Sequence, residues 1–292
     1  MYILAIETTG AFASVALLQA GEGAALDAAK NADAAKAGDT PRILGAIHGN
    51  DRFSHLQNLT PQIDQILQES ELSIGDVTAV AVSHGPGSFT GIRIGVSTAR
   101  ALAQILHIPC IPVSSLEALA LRAYPTDSDN RVLVCPVLDA RRKQVYGAAY
   151  EIIDGQPVCR IAPASCLMTE FLEKLDRCID AEAEQSRDAA PGVSVPSGFK
   201  KILFLGDGID TCGDIIRAWD ESRAGAAAAE VACIPEELRY QDAAMVALRG
   251  LQLYRNGGSC DYMQLQPEYL RMAEAEKKLK DKQAAEKAGH QS

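Results

Sequence analysis

Two stretches of this chain, 132 residues apart, follow one plan: an apolar strand, an acidic residue, a short turn and a second apolar strand. In the first, YILAIE (2–7) leads through a Thr-Thr-Gly turn into SVALLQ (14–19). In the second, VLVCPVLDA (132–140) leads into VYGAAYEII (145–153). Laying Glu7 on Asp139 places Ala5-Ile6-Glu7 over Val137-Leu138-Asp139 and, without a gap, Ser14-Val15-Ala16 over Tyr146-Gly147-Ala148. A duplicated half accounts for a length of 292 residues, which is enough for two ordinary hydrophobic cores.

The elements between the repeats are those of an α/β chain. RILGAIHG (42–49) reads as a third strand, LQNLTPQIDQIL (56–67) carries an apolar stripe at helical spacing, and VTAVAVSHG (77–85) reads as a buried strand. Strand, strand, strand, helix, strand, helix predicts one mixed sheet flanked by helices. Further on, KILFLGDGID (201–210) is a strand ending in Gly-Asp-Gly, and QDAAMVALRGLQLYRNGG (241–258) a helix closed by Asn-Gly-Gly. The Ala-rich stretch 21–40 is expected to be a flexible excursion or frayed helix, and 181–198 a loop.

Composition narrows the function classes. With 47% hydrophobic and 23% charged residues, the chain has the make-up of a globular protein. It has no apolar run of about 18 residues, the minimum for a membrane span. MYILAIETTG lacks a basic leader and enters a strand directly, so a mature cytoplasmic chain is expected. Eight cysteines, scattered singly through mostly apolar runs, are expected to be buried reduced thiols. The net charge of −10 makes the chain a poor unaided ligand for nucleic acid. The lysines of the tail (277, 278, 280 and 282) are offset by acids and predict a solvated helix face.

GPGSFTGIRIG (85–95) is the most specific motif. A strand, a glycine turn and a helix start suggest a phosphate loop, but no lysine follows Gly91 or Gly95, and the glycine spacing misses the dinucleotide pattern by one residue. If Ser88 caps the helix, then Gly91, Gly95, Ala99 and Ala103 form one row almost bare of side chains. Two interior glycines weaken a helix by roughly 1 kcal/mol each, which close approach of another backbone would offset. That backbone is either the chain's own sheet or a helix of another chain. The five histidines show no metal-ligand spacing and no nucleophile elbow is present. Glu7 and Asp139, each ending the first strand of its half, either are plain strand-end acids or flank a nucleotide and its magnesium.

ILAIETT at the start, GPGSFTGIRIG, VSSLEALA (113–120), LDARRKQVY (138–146) and PEYLR (267–271), in this order, resemble the bacterial TsaB (YeaZ) family. The resemblance implies a duplicated actin-like, sugar kinase or Hsp70-type (ribonuclease H-like) α/β fold of two mixed sheets. It divides the chain into a partner-binding half, 1–112 joined by a C-terminal helix at about 264–290, and a second half, 113–263. It further implies a non-catalytic scaffold that docks the catalytic paralogue TsaD, with the small ATPase TsaE, in transferring a threonylcarbamoyl group to the adenosine beside the anticodon of tRNAs reading A-starting codons. A homodimer is a possible resting state, tRNA is engaged only through the complex, and no membrane is involved.

On this reading the partner interface comprises Gly87, Ser88, Phe89, Gly91, Ile92, Arg93, Gly95, Ala99 and Ala103, with the 54–69 helix beside it. A degenerate nucleotide site comprises Glu7, Thr8, Thr9, Asp139, Arg141 and Arg142, weak or shared at an interface, with no resident cofactor or metal. In TsaD a metal-binding His-x-x-x-His lies in a segment resembling V-N-H-L-E-G-H; here Ser115 and Leu119 hold those positions, and Ser114 with Glu117 spells a capping box. Arg141 and Arg142 follow the second acid, where small residues would leave room for phosphates. The rival reading is an ATP-dependent phosphotransferase of the same fold, and a weaker one a metallopeptidase. The charge generates a first prediction: the isolated chain binds tRNA only weakly, with affinity falling steeply as salt rises. Filter binding across a salt series measures it, and tight binding at physiological salt is the contrary result.

Overall fold

The computed structural model describes residues 1–21, 40–49, 55–123, 131–187, 198–223 and 229–271. The first sheet has the order β3-β2-β1-β4-β5, built from β1 (Tyr2–Glu7), β2 (Ser14–Gln19), β3 (Arg42–His48), β4 (Ala79–Gly85) and β5 (Cys110–Ser114). The second has β6 (Val132–Asp139), β7 (Gln144–Ile153), β8 (Gln156–Leu167), β9 (Lys201–Leu205) and β10 (Glu230–Cys233), in the order β10-β9-β6-β7-β8. In both, the first three strands pair antiparallel and the last two join parallel beside the first. One topology therefore occurs twice, with β1 and β6 equivalent. The gapless repeat slips by one residue after the turn: Glu7 pairs with Ser14, but Asp139 pairs with Val145 rather than Tyr146.

Period-2 alternation assigns the faces. Leu4 and Ile6 of β1 enter a core shared with α1 (His55–Glu69) and α2 (Phe89–Leu106), whereas Ile3 and Ala5 face α6 (Ala243–Arg255). In the second half, Leu133, Cys135 and Val137 face α4 (Met168–Arg187) and α5 (Gly208–Ser222). Leu138, with Val132 and Val134, packs with Leu116 and Leu119 of α3 (Ser115–Ala120). The helix α6, placed by sequence in the second half, thus covers the first sheet. It also joins the halves: Arg249 donates to Glu117 at 2.7 Å, and Gln252 donates to the Gly155 carbonyl of the β7–β8 turn at 2.8 Å.

Other sequence expectations change on contact with packing. Glu117 pairs with Arg249, so the expected capping box does not form, and Ser114 makes no side-chain cap bond. The helix α4 continues to Arg187, through residues read as the start of a loop. Residues 265–271 form an irregular strap rather than the start of a helix. The expected excursion within 22–39, the remaining loop at 188–197 and the lysine-rich tail beyond 271 lie outside the described residues. Four cysteines are buried as expected, but Cys178 and Cys260 are half-buried and Cys159 and Cys233 are exposed. Among the described residues no helix is long and apolar enough to cross a membrane.

The glycine row has a definite neighbour. Ser88 caps α2 as predicted, its hydroxyl accepting from Gly91 N at 3.3 Å. Gly91, Gly95, Ala99 and Ala103 are all buried, together with Ile92. A Cβ on Gly91 would lie 1.9 Å from the Thr8 carbonyl oxygen, and one on Gly95 2.4 Å from Thr8 Oγ1. The close approach is therefore to the chain's own β1 end, which corrects the reading of this row as a surface for a partner's helix. Gly91→Ala is accordingly expected to destabilise the isolated chain by at least about 1 to 3 kcal/mol, the usual range for overpacking, despite improving helix propensity. Denaturant melting of the purified variant tests this; an unchanged or raised midpoint would contradict the packing.

Candidate functional site in the cleft between the halves

Where the two equivalent strand ends face each other, a cleft of about 360 Å³ opens, lined by Thr9, Gly87, Ser88, Phe89, Asp139, Arg141, Tyr146, Asp207, Gln241 and Arg271. The six residues proposed for a degenerate nucleotide site do not all reach it. Glu7 is fully buried; its carboxylate accepts from Thr9 N at 2.5 Å, from Thr9 Oγ1 at 2.6 Å and from the Ser83 hydroxyl. Burial pushes its pKa up, against the pull of the Ser83 and Thr9 hydrogen bonds. Thr8 is also buried and donates to the Gly91 carbonyl at 2.7 Å. These two side chains therefore tie the β1 end to the turn, α2 and β4. Thr9, Asp139 and Arg141 line the cleft, whereas Arg142 does not.

Asp139 is engaged locally. Arg141, Arg142 and Lys143 all adopt left-handed backbone conformations, with φ of 66°, 56° and 60°. The Asp139 carboxylate stabilises this turn by accepting from Arg141 N at 2.7 Å. Opposite it stands a residue the sequence reading noted only as the middle of Gly-Asp-Gly. Asp207 accepts from Asp139 N at 2.9 Å, and its pKa is raised to about 6, chiefly by burial and then by the charges of Asp139 and Asp210, against the Asp139 hydrogen bond. Gln241, Tyr146 and Arg271 were likewise not singled out; the available signals were the strand-end Gly-Asp-Gly and the PEYLR motif.

The mouth of the cleft is built by the strap. Tyr269 stacks on Phe89 with ring centroids 4.6 Å apart, and the Arg93 guanidinium lies 4.0 Å above the Phe89 ring. Arg93 Nε also donates to Tyr269 Oη at 3.1 Å. Phe89 and Arg93, proposed as contacts for another chain, are thus engaged within this one. Gly87 has a φ of 151°, and a Cβ there would lie 2.5 Å from the Thr9 carbonyl. Arg271 then reaches across to donate to the Ala140 carbonyl at 2.9 Å. Ser115 donates to the Pro86 carbonyl and Leu119 is fully buried in the core, so the two positions that would carry histidines in TsaD serve packing. Among the described residues no group of three or more His, Cys, Asp or Glu side chains is placed to hold a metal ion.

Chemically, the cleft can offer an anion hydrogen bonds and the guanidinium groups of Arg141 and Arg271, beside one carboxyl whose pKa is raised to about 6. For Asp207 the folded pKa lies above its ordinary 3.8, so folding favours the protonated form and stability declines as pH rises from 3.8 through about 6. Asp207→Asn keeps an oxygen for the Asp139 N–H and removes the charge. The variant is expected to lose that component of the pH dependence, as measured by melting from pH 4 to 7. An unaltered pH profile would show that folding does not raise the Asp207 pKa.

Comparison with known proteins agrees with this architecture. The family described as TsaD: tRNA N6-adenosine threonylcarbamoyltransferase matches residues 52–279. The tRNA threonylcarbamoyladenosine biosynthesis protein TsaB of Bacillus subtilis is 35% identical over 122 residues, 42% of this chain and 52% of that protein. TsaB of Escherichia coli is 41% identical over 97 residues, 33% of this chain and 41% of that protein. The chain thus spans about half or less of the length of these relatives. The structure of YeaZ from Pseudomonas aeruginosa superposes with a TM-score of 0.60 at 23% identity, covering 92% of this chain and 99% of that one, and so shares the duplicated actin-like fold. By its sequence match and by its resemblance to TsaB, this chain belongs to the TsaD family of tRNA N6-adenosine threonylcarbamoyltransferase proteins.

Proposed function

We propose that the chain is a non-catalytic scaffold subunit in tRNA threonylcarbamoyladenosine biosynthesis, which acts by docking a TsaD paralogue. The observation that carries this reading is the internal use of the would-be chemistry. Ser115 and Leu119 are buried where TsaD has its metal-binding histidines, and Glu7 and Thr8 are turned into the core. Asp139 caps its own turn. A phosphotransferase would need these acids free for magnesium. Complexes with TsaE, a homodimeric resting state, a cytoplasmic location and nucleotide bound at a shared interface belong to the same proposal.

Because the glycine row is buried, docking falls to the outward face of α2. Arg93, Ser97, Ala101, Gln104 and Ile105 are exposed there, with α1 beside them. Ser97 and Ala101 are small enough to admit another helix, and Ile105 is 74% exposed, an apolar contact left open in the isolated chain. Ser97→Arg with Ala101→Arg is expected to weaken association with the same organism's TsaD at least tenfold, about 1.4 kcal/mol, while the melting temperature stays unchanged. Co-purification with mass measurement of the complex supplies the readout. Wild-type chain that fails to pair with TsaD, or that shows saturable ATP turnover lost in Asp139→Ala, would overturn the scaffold reading.

A further inference from the structure

The segment that follows α6 runs back along the outer edge of the first sheet and sets two cysteines opposite each other. Cys110, the first residue of β5, and Cys260 form an isolated antiparallel bridge in which each N–H donates to the other's carbonyl, at 2.9 and 2.8 Å. Residues opposed in this way have Cα atoms about 5.5 Å apart and side chains on the same face. A disulfide spans Cα separations of roughly 4.4 to 6.8 Å. Both side chains belong to the core beneath α2. Cys110 is fully buried, its Sγ 3.9 Å from the Ala99 carbonyl; Cys260 is half-buried and lines a groove of about 470 Å³ with His107, Pro109 and Tyr262. No other two cysteines are paired across the described strands.

We propose that Cys260 and Cys110 are a thiol–disulfide pair, Cys260 being reached from the groove and Cys110 resolving from within, whose intramolecular disulfide fastens the post-α6 segment to β5. The oxidant is a low-molecular-weight disulfide such as glutathione disulfide. The Cys260 thiolate attacks one of its sulfurs, forming a mixed disulfide and releasing one thiol. Cys110 then gives up its proton, turns its sulfur from the Ala99 carbonyl and attacks Cys260 Sγ, releasing the second thiol. Two protein thiols lose two electrons, the small disulfide gains them, and both protons end on the released thiols. Burial, and next the adjoining Cys260, push the Cys110 thiol up to about 11, while burial and Asp261 raise Cys260. Thiolate is therefore scarce, and both steps are slow near neutral pH.

The linkage holds the root of the strap that carries Tyr269 and Arg271. Its test uses the full chain with Cys159→Ser and Cys233→Ser, which removes the two exposed thiols. After equilibration with glutathione disulfide, the intact mass is expected to fall by two hydrogens, and digestion to yield a peptide pair joined through Cys110 and Cys260. Reduction with dithiothreitol is expected to restore the starting mass, and the oxidised form to melt at a higher temperature. Cys110→Ala is expected to convert this outcome into a stable glutathione adduct on Cys260, with folding checked by circular dichroism. The proposal fails if the chain with both cysteines intact accumulates a glutathione adduct on Cys260 without the link. It fails equally if both thiols still alkylate completely after denaturation.

Discussion

The contact on which the rest of the molecule depends is the one between the N-terminal turn of α2 and the main chain at the end of β1. With no side chain at Gly91, the helix descends until its backbone meets the Thr8 carbonyl, and Thr8 Oγ1 returns a 2.7 Å hydrogen bond to the Gly91 carbonyl. That contact fixes the loop after β1. Thr9 N and Oγ1 then reach Glu7, whose other oxygen accepts from Ser83 on the neighbouring strand. A buried carboxyl is costly unless it is hydrogen-bonded, and here two donors from Thr9 in the turn and one from Ser83 on β4 engage both of its oxygens. The result is a rigid corner that positions the Gly87-Ser88 wall of the cleft.

The same corner explains why the Glu7 carboxylate is not offered to the cleft. A strand-end acid can hold magnesium only if its oxygens point outward, and Glu7 spends them inward. The equivalent acid of the second half, Asp139, faces the cleft but accepts from Arg141 N, in a turn of three consecutive left-handed residues. Such conformations cost energy for side-chain-bearing residues, so the carboxylate is part of what keeps the turn in place. In both halves the acid that ends the first strand thus accepts from a main-chain N–H of the turn that follows it. Beside Thr9, Asp139 and Arg141 of the repeated turns, the polar lining is completed by Asp207, Gln241 and Arg271, which come from elements outside the repeat that defined the fold.

Much of the architecture was legible because it rests on local periodicity. Continuous apolar runs in 2–7 and 132–139 specify strands buried on both faces, and Ser88 announces a helix start three residues before the N–H it accepts. The spacing of Gly91, Gly95, Ala99 and Ala103 specified a bare row but carried no information about what fills the space above it. A sheet corner and a foreign helix make the same demand for small residues. Ser114 and Glu117 have capping-box spacing, yet Arg249, 132 residues further on, offers Glu117 a charged partner and takes it. Asp207 was unreadable for a related reason: its altered pKa arises from burial and from Asp139 and Asp210, and only folding assembles those surroundings.

The strap shows how far a short C-terminal motif can act. Glu268 N donates to the His84 carbonyl at 2.7 Å, Tyr269 stacks on Phe89, and Arg271 donates to Ala140 in the second half, so seven residues run from the glycine turn to the opposite lobe. The α6 network around Arg249 crosses between the halves at a separate place, through Glu117 and Gln156. Two crossings made of polar contacts resist relative motion of the halves more than one would, because a hinge about either must break the other. The strap and α6 together therefore hold the halves in one relation, the strap doing so with Arg271 at the wall of the cleft itself.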